Sequence, residues 1–269
     1  MSGPPAHAER ITDPDDPRIA VFRDVKERDL VGREGVFIAE GATVLTVLIT
    51  RSRLDVLAVL VEETRAARMP ILSEPRAHPL YVAPQEVLDQ TAGFALHRGI
   101  LAAGRVPAPT TLGALPAGPL RLPVLIGLSN HDNVGGIFRS AAAFGAPAVA
   151  ADRGTADPFY RKAIRVGVGA PLIVPTVRFD DPLAHIAALR EAGITPYALS
   201  PRADTKLSRA DLAPRAAFLL GTEGPGLPGA VLNAAVPLSI PITAMDSLNV
   251  AVTAALALHT HADRCGLAP

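Results

Sequence analysis

From residue 124 onward the chain alternates short apolar runs with amphipathic stretches, the pattern that specifies a parallel α/β sheet. The runs at 124–128, 148–151, 172–177, 196–199, 217–220 and 238–242 are each the length of a buried strand. Between them, 183–192 is an amphipathic helix closed by Gly193, at a position that favours left-handed backbone. The final helix, 249–262, is alanine-rich and apolar on most faces, so it is expected to be buried against the sheet or a partner subunit. Three of the runs end in glycine- and asparagine-rich segments, and in an open parallel sheet the loops that follow strands hold ligands.

Before this region the organisation changes. Between Val106 and Pro123 lie five prolines (107, 109, 116, 119, 123) and almost no charge, which predicts a semi-extended linker that does not sit inside a sheet. The resulting division is 1–105, a linker over 106–121, and 122–269. In the first part, 36–39, 54–61, 80–82 and 99–102 read as strands. Residues 42–49 and 84–89 read as helices and Glu62-Glu63 as a helix start, giving a small α/β/α sandwich. No catalytic constellation appears there, so its expected task is binding.

Composition sets limits. Hydrophobic residues make up 49% of the chain, yet no apolar run reaches the roughly 18 residues that cross a bilayer. The first ten residues lack the apolar centre of a secretory signal, so a cytoplasmic location is expected. The single cysteine, Cys265, excludes an internal disulfide and a thiolate-rich zinc cage, and no metal is expected. Net charge is zero, and neither half is a polycation of the kind that binds nucleic acid by charge alone. A local cluster, Arg161, Lys162 and Arg165 with Arg153 nearby, is a candidate phosphate-facing patch or an ordinary solvated helix face.

The first polar segment runs from Asn130 through Asn133, Gly135 and Gly136 to Arg139, with Asn133 at or near a helix N-cap. The second, Gly221-Thr222-Glu223-Gly224-Pro225-Gly226, leads into a formal G-x-G-x-x-G match at 224–229. That match is a poor dinucleotide fingerprint. It lies about forty residues from the C-terminus instead of opening its domain, and Pro225 and Pro228 remove backbone donors that a pyrophosphate needs. The third segment includes Ser247, Leu248 and Asn249, with Ser247 as a cap of the last helix and Asn249 in its first turn. Loops of Gly, Leu, Ile and Asn without a phosphate-binding lysine suit a neutral purine with a small charged tail, such as S-adenosylmethionine.

Taken together, the three segments resemble the motifs of the SPOUT superfamily, and within it the TrmH (SpoU) family of RNA ribose 2′-O-methyltransferases. The resemblance covers about residues 122–269 and implies a C-terminal α/β domain with a parallel sheet and a deep trefoil knot. It also implies a homodimer and S-adenosylmethionine as cofactor. The preceding half, around Phe37-Ile38-Ala39-Glu40-Gly41, resembles that family's small ribosomal-protein-like RNA-binding domain. Carried over by position, Asn133, Arg139, Glu223, Ser247 and Asn249 are the implied catalytic set. Gly221, Glu223, Gly224, Ile240, Leu248 and Asn249 are implied to hold the cofactor, and Arg161, Lys162 and Arg165 are the RNA-binding candidates.

Arginine is too weak an acid to serve as a base. Arg139 is therefore expected to polarise the ribose hydroxyl and grip an adjacent phosphate, from one subunit towards a cofactor held by the other. The extra N-terminal domain favours ribosomal RNA over transfer RNA. One departure from the family, Ala251 where serine is frequent, motivates a competing reading as a catalytically silent RNA-binding module. A nicotinamide-dependent oxidoreductase is the third reading.

Overall fold

A computed structural model describes residues 3–25 and 35–265. Two units are formed, Met1–Pro107 with Phe159–Ile173, and Ala108–Pro158 with Val174–Pro269.

The first unit holds β1 (Glu9–Arg10), β2 (Val36–Glu40), α1 (Ala42–Thr50), β3 (Val56–Glu62), α2 (Glu63–Ala66), β4 (Leu80–Ala83), α3 (Gln85–Ala92) and β5 (Ile100–Arg105). Their sheet runs β1-β4-β3-β5-β2, with β5 antiparallel to both neighbours and the remaining pairs parallel. Alternate residues of β2 enter different cores: Val36 and Ile38 pack with Leu88 and Phe22, whereas Phe37 and Ala39 pack with Leu45 and Leu48 of α1. A strand buried on both faces reads as a continuous apolar run, which is why 36–39 stands out in the sequence. Opposite Phe37 lies Gly104, where a Cβ would come within 2.3 Å of the Phe37 ring, so the aromatic ring fills the space a side chain would take. Glu62 caps the short α2, accepting from Thr64 N and Arg65 N.

The second unit contains β6 (Leu120–Leu125), α4 (His131–Ala143) and β7 (Val149–Asp152). The chain then passes through α5 (Arg161–Val166), which belongs to the first unit. It returns as β8 (Thr176–Phe179), α6 (Pro182–Glu191), β9 (Thr195–Leu199), β10 (Arg215–Leu220), α7 (Gly229–Asn233), β11 (Val236–Leu238) and α8 (Val250–Arg264). All pairs in this sheet are parallel, in the order β11-β9-β10-β6-β7-β8. From β6 the chain builds outward to β7 and β8, then reverses to place β10 on the other side of β6. The crevice beyond the C-terminal ends of β6 and β10 is therefore a topological switch point, where open α/β sheets bind ligands.

Several expected boundaries move. The final residues of the expected linker are strand, and Pro123 sits inside β6, between two neighbouring strands. The ladder shows why this is tolerated. Leu120 N and Ile126 N donate to Pro214 O and Leu220 O, so even positions of β6 point their N–H towards β10. Position 123 faces β7, whose pairing with β6 begins only at Val124, so no donor is missed. The linker is also anchored, since Thr110 N donates to Thr176 O beside β8. The 172–177 run divides: Ala170–Leu172 is a 3₁₀ turn of the first unit, and the strand begins at Thr176 after Pro175. The 238–242 run ends its strand at Leu238, because Pro241 cannot continue a ladder, and Ile240 and Ile242 become loop residues.

Candidate functional site

The three polar segments converge at the C-terminal edge of the second sheet. Asn130 is the cap of α4, with its side chain accepting from Asp132 N at 2.8 Å, so the capping role expected near Asn133 belongs to Asn130. This frees Asn133, in the first turn and buried, to reach across to Glu223 after β10. Asn133 Nδ2 donates to Glu223 Oε1 at 2.7 Å, and Asn249 Nδ2 donates to Asn133 Oδ1 at 2.9 Å and to Glu223 Oε1 at 3.5 Å.

The polarity of this network is set by a helix. Asn249, and not Ser247, is the N-cap of α8: its Oδ1 accepts from Ala251 N and Val252 N at 2.9 and 3.3 Å. With the amide oxygen held by backbone donors, its nitrogen must face the site. Asn133 then presents its oxygen to that nitrogen and its own Nδ2 to the carboxylate. Three residues separated by up to 116 positions thus form one directed chain of hydrogen bonds.

Beside it lies a cleft of about 140 Å³ lined by Leu220, Gly221, Glu223, Leu238, Ile240, Ser247 and Leu248, among others. Gly221 admits no side chain, since a Cβ would lie 2.5 Å from both Gly226 C and Leu227 N. The loop folds back on itself through Gly226 N to Thr222 O at 3.1 Å, with Gly224 and Gly226 at φ 88° and 74°. After that loop the helix α7 spans only 5 residues and follows the fifth strand of its sheet, unlike a dinucleotide fingerprint, which opens on the first strand.

Not every expected residue joins this group. Arg139 is exposed on α4, does not line this cleft, and makes no hydrogen bond or ion pair with a described residue. Ser247 is exposed at the cleft and likewise makes no hydrogen bond with a described residue. Arg161 and Arg165 lie on α5 in the first unit, where Glu40 Oε2 takes Arg161 Nη1 at 2.5 Å and Arg165 Nη1 at 3.7 Å. The Arg161 guanidinium also lies 4.7 Å from the Phe94 ring centroid. Of Arg161, Lys162 and Arg165, Lys162 is the exposed one, and the nearby Arg153, also exposed, pairs with Asp180.

Two contributors went unnoticed in the sequence, Asp152 and Thr155. Gly127 N donates to Asp152 Oδ1 and Oδ2 at 3.0 and 3.1 Å, and Thr155 Oγ1 donates to Asp152 Oδ1 at 2.7 Å while accepting from Leu128 N at 3.3 Å. They hold the loop between β6 and α4. The available signal was an acidic residue closing an apolar strand at 149–152, followed by Gly154 and Thr155. Elsewhere in the unit, His185 stacks on Phe179 with centroids 4.1 Å apart, and burial pushes its pKa down to about 4.

Residues 122–259 match the SpoU rRNA Methylase family. The chain belongs to the SpoU rRNA methylase family. It is 39% identical over 260 residues, covering 93% of this chain and 90% of the relative, to an uncharacterised tRNA/rRNA methyltransferase of Mycobacterium tuberculosis. It is 31% identical over 202 residues, 71% of this chain and 81% of the relative, to the 23S rRNA (guanosine-2′-O-)-methyltransferase RlmB of Vibrio vulnificus. Among solved structures, an RNA 2′-O ribose methyltransferase superposes with a TM-score of 0.79 at 27% identity, covering 97% of this chain and all of that one. The protein is an RNA methyltransferase, and the matched residues 122–259 include the converging Asn133, Glu223 and Asn249.

Proposed function

We propose that this SpoU methylase transfers a methyl group from S-adenosylmethionine to a ribose 2′-hydroxyl of ribosomal RNA. The observation that carries the reading is the directed Asn249–Asn133–Glu223 network at the wall of the Gly221 cleft. The cleft fits the cofactor in kind. Leu220, Leu238, Ile240 and Leu248 offer apolar walls, Gly221 and Gly224 allow close backbone approach, and no lysine or arginine lines it to pair with a triphosphate. Bound there, the cofactor supplies an electrophilic sulfonium methyl.

The protein's own residues position the reactants, as an in-line displacement requires. Gly221, Gly224, Ile240 and Leu248 would hold the cofactor, together with Glu223 and Asn249, and Ser247 lies at the same cleft. Arg139 grips a phosphate of the RNA and polarises the hydroxyl, from the partner subunit of a homodimer. An open apolar groove between α4 and α8 supports this assembly: Val252 and Leu256 are 48% and 40% exposed there, on the helix pair that carries Arg139. The same reading gives the second unit a deep trefoil knot, and makes the first unit an RNA-binding domain presenting Lys162, with the enzyme acting in the cytoplasm.

Ala251 does not favour a silent module. A Cβ on Gly136 would lie 3.0 Å from Ala251 Cβ, so a small residue at 251 serves close packing of α8 on α4. Incubating the protein with methyl-labelled S-adenosylmethionine and separated ribosomal and transfer RNAs, followed by nucleoside digestion, tests the proposal. A 2′-O-methylnucleoside in a ribosomal fraction is expected. Cofactor binding without transfer to any RNA would overturn it, and label confined to transfer RNA would overturn the ribosomal assignment.

A further inference from the structure

The cations of the second unit sort into two groups. Arg153 and Arg178 pair with Asp180 and Asp157, and Arg121, Arg190, Arg215 and Arg264 donate to backbone carbonyls. Besides Arg139, the cationic side chains left without a hydrogen bond or ion pair to a described residue are Arg202, Lys206 and Arg209. All three are exposed, and all lie on one segment, 200–212, between β9 and β10. Asp204 and Asp211 are the acids of that segment, and neither is paired with these cations.

The backbone of the segment is fixed from two sides. Ser200 N donates to Leu238 O, Leu207 N to Ser239 O and Ser239 N to Thr205 O, at 2.9, 2.8 and 2.9 Å. Arg264, at the end of α8, donates to Ser208 O and Ala210 O, and Leu207 and Leu212 are buried. The segment begins at the cofactor cleft, whose lining includes Ser200 and Pro201. Three unpaired cations are thus held at the edge of a parallel sheet where ligands bind, an arrangement that attracts anions.

We propose that this segment is an RNA-docking surface of the second unit, on which Arg202, Lys206 and Arg209 meet phosphates of the substrate strand outside the reaction centre. The assignment rests on the RNA methyltransferase reading above and adds where the second unit grips its substrate. No Lys or Arg lines the cleft itself, so these charges serve a ligand other than the cofactor. The segment 200–212 has no aromatic side chain on which a base would stack. Its contacts therefore go to the RNA backbone, positioning the strand without reading its sequence. A chain of zero net charge can engage a polyanion in this way, through a few cations left unpaired at one place.

The triple variant Arg202→Ala/Lys206→Ala/Arg209→Ala removes three exposed side chains and none of these hydrogen bonds, so its thermal unfolding is expected to match wild type. Binding of a labelled short oligouridylate is followed across a salt series, alongside methylation of ribosomal RNA and cofactor affinity by calorimetry. Oligouridylate binding is expected to weaken about tenfold, with a salt slope shallower by about 2, since each phosphate contact on a single strand contributes about 0.7. The KM for RNA is expected to rise about tenfold with kcat unchanged at saturating RNA, the signature of lost uniform binding. Lys206→Glu, a single change at an exposed site, is expected to weaken binding by a similar factor and is read in the same way. Arg202→Lys/Lys206→Arg/Arg209→Lys keeps the charges and is expected to bind as wild type does.

A wild-type salt slope and KM in the alanine and Lys206→Glu variants overturn the docking surface and leave the methyltransferase reading intact. Lost cofactor affinity with unchanged RNA binding also overturns it, by assigning the cations to the cofactor. So does a wild-type protein that methylates ribosomal RNA without binding the oligouridylate. A wild-type protein that binds cofactor yet neither binds the oligouridylate nor methylates any RNA overturns both.

Discussion

Asn249 serves two structures with one side chain: its Oδ1 caps α8, and its Nδ2 lies 2.9 Å from Asn133 Oδ1. The helix start and the polar centre are therefore coupled, yet separable by mutation. Asn249→Ser keeps an oxygen for the cap and loses the amide donor. Thermal stability is expected to stay near wild type, while methyl transfer falls about tenfold or more. Asn249→Ala removes the cap as well and is expected to cost about 1 kcal/mol in addition. Denaturant titration alongside single-turnover kinetics separates the two losses.

Gly221→Ala forces a methyl group into loop backbone at 2.5 Å. The expected result is a loss of about 1–3 kcal/mol of stability, typical of overpacking, and a marked weakening of cofactor binding by calorimetry. Unchanged cofactor affinity would remove Gly221 from the cofactor site.

Glu40 and Arg161 form a pair whose side chains are 6% and 21% exposed. Glu40→Ala leaves a largely buried guanidinium without its partner and is expected to cost about 3 kcal/mol, because breaking one half of a buried pair strands the other charge. Arg161→Ala should act through the same loss of stability. Lys162→Ala, at an exposed position, is expected to weaken RNA binding with a shallower salt dependence. Equal RNA affinity in Lys162→Ala would exclude it from the RNA surface.

Arg139→Ala is expected to abolish turnover with cofactor affinity unchanged. If Arg139 acts across a dimer, mixing Arg139→Ala with Asn249→Ser protein regenerates heterodimers carrying one intact site, and activity recovers to roughly a quarter of wild type under random pairing. No recovery in a verified heterodimer would place Arg139 in its own subunit's site.

His185 titrates at about 4 in the folded protein, against about 6.5 when unfolded. Between those values the unfolded chain binds the extra proton, so stability is fully present above pH 6.5 and declines as pH falls towards 4. Allowing for partial solvent access, the decline is expected to be about 2 kcal/mol. His185→Phe, which preserves stacking on Phe179, should flatten that slope in a pH series of denaturant titrations.

Local patterns carried much of this architecture. Apolar runs located most strands, because a strand buried on both faces leaves little room for polar residues, and Gly193 at φ 67° ended α6 as its backbone freedom requires. Pro123 misled for a physical reason: whether a missing N–H matters depends on whether a neighbouring strand reaches that position, which no local pattern records.

The sequence by itself determined that Asn133, Glu223 and Asn249 follow strands of an α/β sheet, since periodicity and glycine placement are local properties. Only the tertiary structure decided that Asn249 and not Ser247 caps α8, and that Asn133 points at Glu223. It alone placed Arg161 against Glu40 in the other unit. Hydrogen-bond direction and charge pairing depend on which groups meet across 90 to 121 positions of chain, and that is fixed by packing.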